Sequence, residues 1–325
     1  MLLCLKHHRL VDRNPTEFPA DRLLAFKTEH ESRVARATNF SISQPSHVLQ
    51  VRAAIAGARV ASLTREDIWQ VLTAARHFPA TDAPLVVEMA DLGYSDMDAE
   101  FYQTCEATLT RKLETAFAQH GALHHSSHLS VFALAPMPIL MVLGKILGDA
   151  RPSTIYQYDR FAESWCWLDP KCQDVRSFSH TISGPEDTNH VALVIDLSAT
   201  VDSDLVGAAM QPYGDFPTVR FTTPQPAYSL IRNPKDLRTF HERMRECLNA
   251  IETKFGSQCT IHVFPAMPAS TAVQFGRLLL PKASPSLRIY DHHGERAGFR
   301  PTLWLVRRAR RRSGLKKSAA FSRTA

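Results

Sequence analysis

Three groups of residues have types and spacings that could do chemistry. Cys4-Leu5-Lys6-His7-His8 places a Cys-x-x-His spacing at the start of the chain. That spacing can hold zinc, and a histidine leading into a short helix can ligate a catalytic divalent metal. Tyr156, Tyr158, Arg160, Trp165 and Trp167 gather aromatic faces around one cation. If the backbone there is extended, Trp165 and Trp167 point to opposite sides, one packing inward while the other stacks on a base for about 1–3 kcal/mol. The plainer alternative is that both are core. The third group is Ser198, Asp202, Ser270 and Asp291, hydroxyls and carboxylates of the kind a nucleophile or base requires, although their spacing demands no reaction. The chain contains no GxGxxG, no GxxxxGK[ST] and no GxSxG. A dinucleotide fingerprint, a P-loop and an α/β-hydrolase elbow are therefore not indicated.

The elements that must position these groups are announced by a pattern that occurs twice, 132 residues apart. Val131-Phe132, Pro136, Gly144-Lys145 and Tyr158-Asp159 recur as Val263-Phe264, Pro268, Gly276-Arg277 and Tyr290-Asp291. Fixed self-similarity means one structural unit built twice. Each copy reads as strand, helix, strand, helix, strand. The first opens on the apolar run 85–93 and the second on 191–198, with an insertion at 199–234 in the second. Apolar residues at helical spacing (Phe101, Cys105, Leu109, Leu113, Phe117; Leu237, Phe240, Met244, Cys247, Ile251, Phe255) predict the long helices, with Gly121 and Gly256 as stops. Thr64 and Asp67 predict a helix start before Ile68. The repeated mid-helix glycines suggest close packing of helix on sheet. Alternation of this kind gives a mostly parallel sheet covered by helices. Ligands in such sheets bind beyond the carboxyl ends of the strands, at the switch in strand order. Here those ends are 91–96, 133–138, 198–202, 265–270 and the segments after Tyr158 and Tyr290, and the helices that follow offer backbone N–H groups to phosphate. His124-His125 and His292-His293 have no ligand-spaced partners and read as surface residues.

Composition sets the frame. Of 325 residues, 44% are hydrophobic and 22% charged, ordinary for a globular protein, and no apolar run is long enough for a membrane helix. Six cysteines without a CxxC pair, and an N-terminus without signal-peptide order, suggest a cytoplasmic protein with free thiols. The last 20 residues hold eight Lys or Arg and no acid, so that against a total of +6 the rest of the chain carries −2. The tail at 307–325 reads as disordered and solubilising, or as a nonspecific nucleic-acid contact through RRARRR.

The blocks HLSVFALAPMPILMVLGKILGD, IYQYDRFAESWCWL, VALVIDLSATV and IHVFPAMPASTAVQFGRLLLP…LRIYD closely resemble the SAVED domain. That domain is the sensor module of CBASS anti-phage effectors, built as two fused CARF-like Rossmann halves. The resemblance covers about 84–306, with halves at about 84–184 and 185–306. It implies a cyclic oligonucleotide second messenger, a cyclic dinucleotide first, made by a partner CD-NTase. It also implies ligand-driven homo-oligomerisation that switches on a fused effector. The contacts it suggests are Pro136, Lys145, Tyr158, Arg160, Trp165, Trp167, Ser198, Ala199, Met267, Pro268 and Asp291, with Arg160, Lys145 or backbone N–H groups meeting phosphates and the aromatics meeting bases. The N-terminal LLCLKHHRLVD…FPADRLLAFKTEHE looks like the end of an HNH endonuclease, whose family substrate is double-stranded DNA and whose cofactor is Mg2+ or a similar divalent ion. In that likeness His8 fits the metal-ligand histidine and His7 the adjacent position, while Cys4 with these histidines is the set a structural Zn2+ would use. The general-base His and the Asn of the pattern have no counterpart in the chain, so the catalytic set is incomplete and little DNA cleavage is expected.

The expected architecture is thus α/β, two fused CARF-like halves with a small partial ββα-metal element. The segments are 1–33 for that element, 34–83 for a linker and helical connector, 84–306 for the sensor and 307–325 for the tail. Two other functions stay open: an enzyme that cleaves its own cyclic ligand, and a nonspecific nucleic-acid binder working through the tail.

Overall fold

Each half is organised around one strand buried on both faces. The computed structural model describes residues 4–38, 44–58, 60, 63–89, 94–119, 127–169, 175–280, 284–293 and 298–305. Two helices, α1 (Leu5–Arg13) and α2 (Ala20–Thr38), come first, and no side chain of α1 is buried. The first half then runs β1 (Gln44–Arg52), α3 (Arg65–Ala74), β2 (His77–Pro79), β3 (Leu85–Glu88), α4 (Ala99–Gln119), β4 (Leu129–Leu134), α5 (Met137–Leu147) and β5 (Ser153–Ile155). The second half runs β6 (Ser179–Ser183), β7 (His190–Asp196), α6 (Ser203–Met210), β8 (Thr218–Thr222), α7 (Pro234–Phe255), β9 (Thr260–Ala266), α8 (Ala269–Leu278), β10 (Ser286–His292) and β11 (Phe299–Leu305).

The first sheet is parallel throughout. β1 lies at its centre, with β4 and then β5 on one side and with β2 and β3 sharing the other edge. The second sheet has the order β11-β10-β9-β7-β8-β6, in which the inner four strands are parallel and the two outer ones antiparallel. The mixed α/β architecture expected from the sequence is therefore present. Parallel strands covered on both faces need continuous apolar runs. Val191 to Ile195 and Ile261 to Phe264 supply them, with no exposed surface at any of these positions, the polar His262 included.

Three expectations need correction. The first half opens at β1, not at 85–93, so the expected connector 34–83 carries the central strand of the first sheet. Its sequence, QPSHVLQVR, is broken by Ser46 and Gln50, both buried, which hides the apolar run. Ser46 is tolerated because its Oγ bonds Ser130 Oγ at 2.7 Å and His128 Nδ1 at 2.8 Å. The apparent insertion at 199–234 is also no insertion. It holds α6 and β8, which stand beside β7 as α3 and β3 stand beside β1.

Gly144 and Gly276, thirdly, do not face a sheet. A Cβ on Gly144 would lie 1.9 Å from Val273 O, and one on Gly276 would lie 2.0 Å from Met141 O. The two glycines meet each other where α5 crosses α8, so the repeated residue is the contact between the copies. The Thr64–Asp67 capping box is formed reciprocally, and Gly256 ends α7 at φ 79°. Gly121 lies outside the described residues, as does the tail at 307–325.

The two copies also slip against each other. β4 pairs with β5 so that Val131 is level with Ile155, and β9 pairs with β10 so that Val263 is level with Ile289. The next residues stack as equivalents, Phe132 on Tyr156 at 4.7 Å and Phe264 on Tyr290 at 4.5 Å. The spatial partner of Tyr290 is therefore Tyr156, not Tyr158, because the loop after α8 is two residues longer than the loop after α5.

Candidate functional site

Both sheets reverse strand order beside their central strand, between β1 and β4 in the first and between β7 and β9 in the second. The carboxyl ends at these two switch points face one another across a cavity of about 580 Å3, within the roughly 300–1,000 Å3 usual for small-molecule sites. From the first half it is lined by Ile55 beyond β1, by Leu134, Ala135 and Met137 at the β4–α5 corner, and by 157–161 beyond β5. From the second half it is lined by 198–202 and Leu205, by 265–269 at the β9–α8 corner, by Tyr228 and Ser229, and by His292 and Phe299. The corners are set by proline: Pro136 and Pro268 are the N-cap residues of α5 and α8, and neither makes a side-chain cap. Both helices thus direct the positive ends of their dipoles at the cavity.

Among the charged lining residues, Arg160 is exposed and lays its guanidinium 4.5 Å over the ring of Tyr228, spanning the cleft from one half to the other. Asp159 is committed to its own turn, accepting the backbone N–H groups of Phe161 at 2.9 Å and Ala162 at 2.7 Å. That turn leaves Phe161 78% exposed at the mouth. Asp202 is occupied as the cap of α6. Burial, helped by Glu163, Asp67 and Asp159, pushes the Tyr158 phenol up. Arg220 bonds Asp196 just behind the cleft, and Asp196 in turn accepts Val201 N–H at 2.8 Å, which holds the 198–202 loop open toward the cavity.

Of the expected contacts, Tyr158, Arg160, Ser198, Ala199, Met267 and Pro268 line this cavity, and Pro136 sits between two residues that do. Lys145 does not: it lies in the last turn of α5, about 12 Å along the helix from the first turn that opens on the cleft. Trp165 is 7% exposed and packs on Phe132 and Tyr158, and Trp167 packs on Tyr156. Neither lines the cavity, and both stack in one aromatic group. The opposite-face expectation fails because this segment is a turn-rich loop and not a strand. Asp291 is set behind the wall, accepting Tyr102 OH at 2.8 Å from α4, and burial pushes its carboxyl up to about 6.

Sequence reasoning missed Gln157, Leu205, Tyr228 and Phe299, whereas Thr200 and Phe161 fall inside the strand-end segments it marked without being singled out. It also set aside His292 as a surface residue; it is exposed, and it borders the cavity. The strand-end rule could have found Gln157 through its place after β5. Tyr228 comes from a long loop that only the folded chain lays across the cleft. Of the proposed catalytic polar residues, Ser270 is bonded to Gln157, Asp291 to Tyr102 and Asp202 to its own helix.

At the N-terminus, Cys4 Sγ lies 3.0 Å from His7 Nδ1, and His8 Nδ1 lies 2.8 Å from Asp12 Oδ2, all on the exposed face of one short helix. Among the described residues, no group of three or more His, Cys, Asp or Glu side chains is placed to hold a metal ion. Cys4, His7 and His8 therefore do not fit a metal by themselves. No helix of the described residues is long and apolar enough to cross a membrane.

No curated protein matches the chain. Two solved structures of the Acinetobacter baumannii Cap4 SAVED/CARF-domain containing receptor share the fold. The one with the cyclic trinucleotide 2'3'3'-cAAA matches at TM-score 0.51 and 10% identity, over 85% of this chain and 54% of that one. The one with 3'3'3'-cAAA matches at TM-score 0.50 and 12% identity, over 85% of this chain and 55% of that one. The chain thus spans about half the length of the receptor it matches. The sequence model of the SMODS-associated and fused to various effectors sensor domain, SAVED, matches residues 110–305. With more than half its length inside that match, and with both halves of the expected fold in place, the chain belongs to the SAVED family of sensor domains.

Proposed function

We propose that the cleft binds a cyclic oligonucleotide and that the chain is the sensing part of a SAVED effector. The observation that carries this reading is one cavity of about 580 Å3 at the switch points of both sheets, where two helix N-termini, Arg160 and a set of aromatic rings converge. Arg160 is the cation placed to meet a phosphate, and Tyr228 and Phe161 are the rings placed to stack on bases. The Cap4 receptor structures, solved with cyclic trinucleotides, support the ligand class. The test is calorimetric titration of the full chain with a panel of cyclic di- and trinucleotides. At least one should bind saturably. Arg160→Ala should weaken it about tenfold or more through loss of a charge-assisted contact, and Met267→Arg should block it. A folded chain that binds none of the panel, or a ligand indifferent to both substitutions, overturns the reading.

The rest of the sensor cycle is part of the same proposal. Ligand occupancy drives assembly with further copies of the chain, a CD-NTase supplies the messenger, and assembly activates an effector joined on the α1–α2 side. The HNH resemblance makes double-stranded DNA that effector's substrate. Among the described residues Cys4, His7 and His8 form no metal set, so the DNA-cleaving centre is assigned to the effector and not to these three side chains. Sedimentation with and without the bound cyclic oligonucleotide checks assembly, which should occur only with ligand.

A further inference from the structure

One side chain reaches across the floor of the cleft from the first half to the second. Gln157, just beyond β5, sends its Oε1 to Ser270 in the first turn of α8. It accepts Ser270 N–H at 3.0 Å and Ser270 Oγ–H at 2.7 Å, while its own Nε2 donates to Tyr158 O at 2.8 Å. We propose that Gln157 is an autoinhibitory contact: in the ligand-free chain its carboxamide oxygen holds the place that an oxygen of the bound ligand takes. The inference rests on the cleft being the ligand site and adds how its affinity is set.

Three observations carry it. Ser270 is 1% exposed, so its two converging donors must keep an acceptor whenever Gln157 leaves. Gln157, Pro268 and Ala269 line the cavity, so the group that replaces the carboxamide comes from whatever fills the cleft. The contact is, moreover, not something the doubled fold requires. Gln157 follows Tyr156 as Asp291 follows Tyr290, yet Asp291 turns away to Tyr102, and among the described residues α5 receives no matching side-chain bond at its N-terminus. A carboxamide oxygen is a neutral acceptor. A phosphoryl oxygen makes charge-assisted bonds and meets the positive end of α8, so exchange favours the ligand.

The experiment compares the full chain with Gln157→Met, which keeps the bulk and removes the oxygen, and with Gln157→Glu, which keeps an ionised acceptor on Ser270. Against 2'3'3'-cAAA and 3'3'3'-cAAA, Gln157→Met should bind about fivefold tighter and Gln157→Glu at least tenfold weaker. Gln157→Met combined with Ser270→Ala should lose the gain. Unchanged or weaker binding by Gln157→Met overturns the inference, and a lowered melting temperature without tighter binding identifies a merely structural bridge, which overturns it too. The failure of the cleft reading is distinct, since there the wild-type chain itself binds no cyclic oligonucleotide. In that case inorganic phosphate serves as the probe. The Ser270 amide resonance should move saturably in Gln157→Met and at lower phosphate than in wild type, and its failure to move in Gln157→Met sinks the inference on its own.

Discussion

At the scale of single residues, burial separates the groups that face the cleft from those that support it. Trp165 shares no wall with the cavity and is packed on Phe132 and Tyr158. Trp165→Ala should therefore cost about 3–5 kcal/mol of stability through the hole it leaves, read as a lower denaturation midpoint in urea. Loss of ligand affinity at unchanged stability would count against that placement. Buried titratable groups set the acid response. Burial holds His262 down at about 4, with His190 and Arg288 adding to the effect, and holds His128 down at about 4, with His77 adding. The unfolded chain binds protons on these groups below about 6.5 and the folded chain does not, so stability is lost as pH falls from about 6.5 to 4. Asp291 works the other way. Its carboxyl, raised to about 6, binds a proton in the folded chain before the unfolded one does, so its contribution is lost as pH rises from about 4 to 6. Asp291→Asn should raise the melting temperature at pH 7.5, gain less at pH 4, and steepen the acid loss. Scanning calorimetry across that range reads the slope, and a flatter profile in the variant contradicts the assignment.

At the scale of elements, the doubled unit is joined through helices. α5 and α8 cross where Gly144 faces Gly276, with backbone atoms in the place a Cβ would occupy. Gly144→Ala or Gly276→Ala forces the helices apart and should destabilise the chain by about 3 kcal/mol. Gly207 in α6 borders open space, with nothing within 4 Å of where a Cβ would stand. Gly207→Ala should therefore gain about 0.5–1 kcal/mol from helix propensity alone. Urea midpoints of the three variants test the contrast, and equal effects would refute it. The α5–α8 pair was legible in the sequence as a repeat, because a mid-helix glycine recurring at a fixed spacing demands an explanation. Its partner was not legible, since periodicity names the face of a helix and not what packs against it. The central strand β1 was hidden for a related reason. Its buried Ser46 is satisfied by hydrogen bonds to groups on and beside β4, and such partners exist only after folding.

At the scale of the whole molecule, charge and binding are kept apart. The cleft is built in the near-neutral body, whereas the positive surplus sits in the last 20 residues. Removing 307–325 should abolish weak, sequence-blind DNA binding that falls with rising salt, and should leave cyclic-oligonucleotide binding unchanged. A gel-shift titration at two salt concentrations, paired with calorimetry, checks both halves of that expectation, and DNA binding that survives the deletion refutes it. The cleft itself is pseudo-symmetric in backbone and asymmetric in chemistry. Arg160, Gln157 and the exposed Phe161 come from the first half, while Tyr228 and the 198–202 loop come from the second.

The sequence by itself determined that the body is two copies of one α/β unit and that its strand ends meet around a cleft. Apolar runs, helical spacing and proline corners are local properties, so they can be read without the rest of the fold. It also determined six of the lining residues, because strand ends are where parallel sheets leave backbone and side chains free. Only the tertiary structure decided the rest. It set Trp165 and Trp167 in the aromatic packing behind the cleft, moved Lys145 to the far end of α5, and showed that Tyr156 rather than Tyr158 matches Tyr290. It also laid Tyr228 under Arg160 and gave Gln157 to Ser270. Each of these depends on which surface a side chain meets across the fold. Loop length and helix crossing fix that meeting, and spacing along the chain does not.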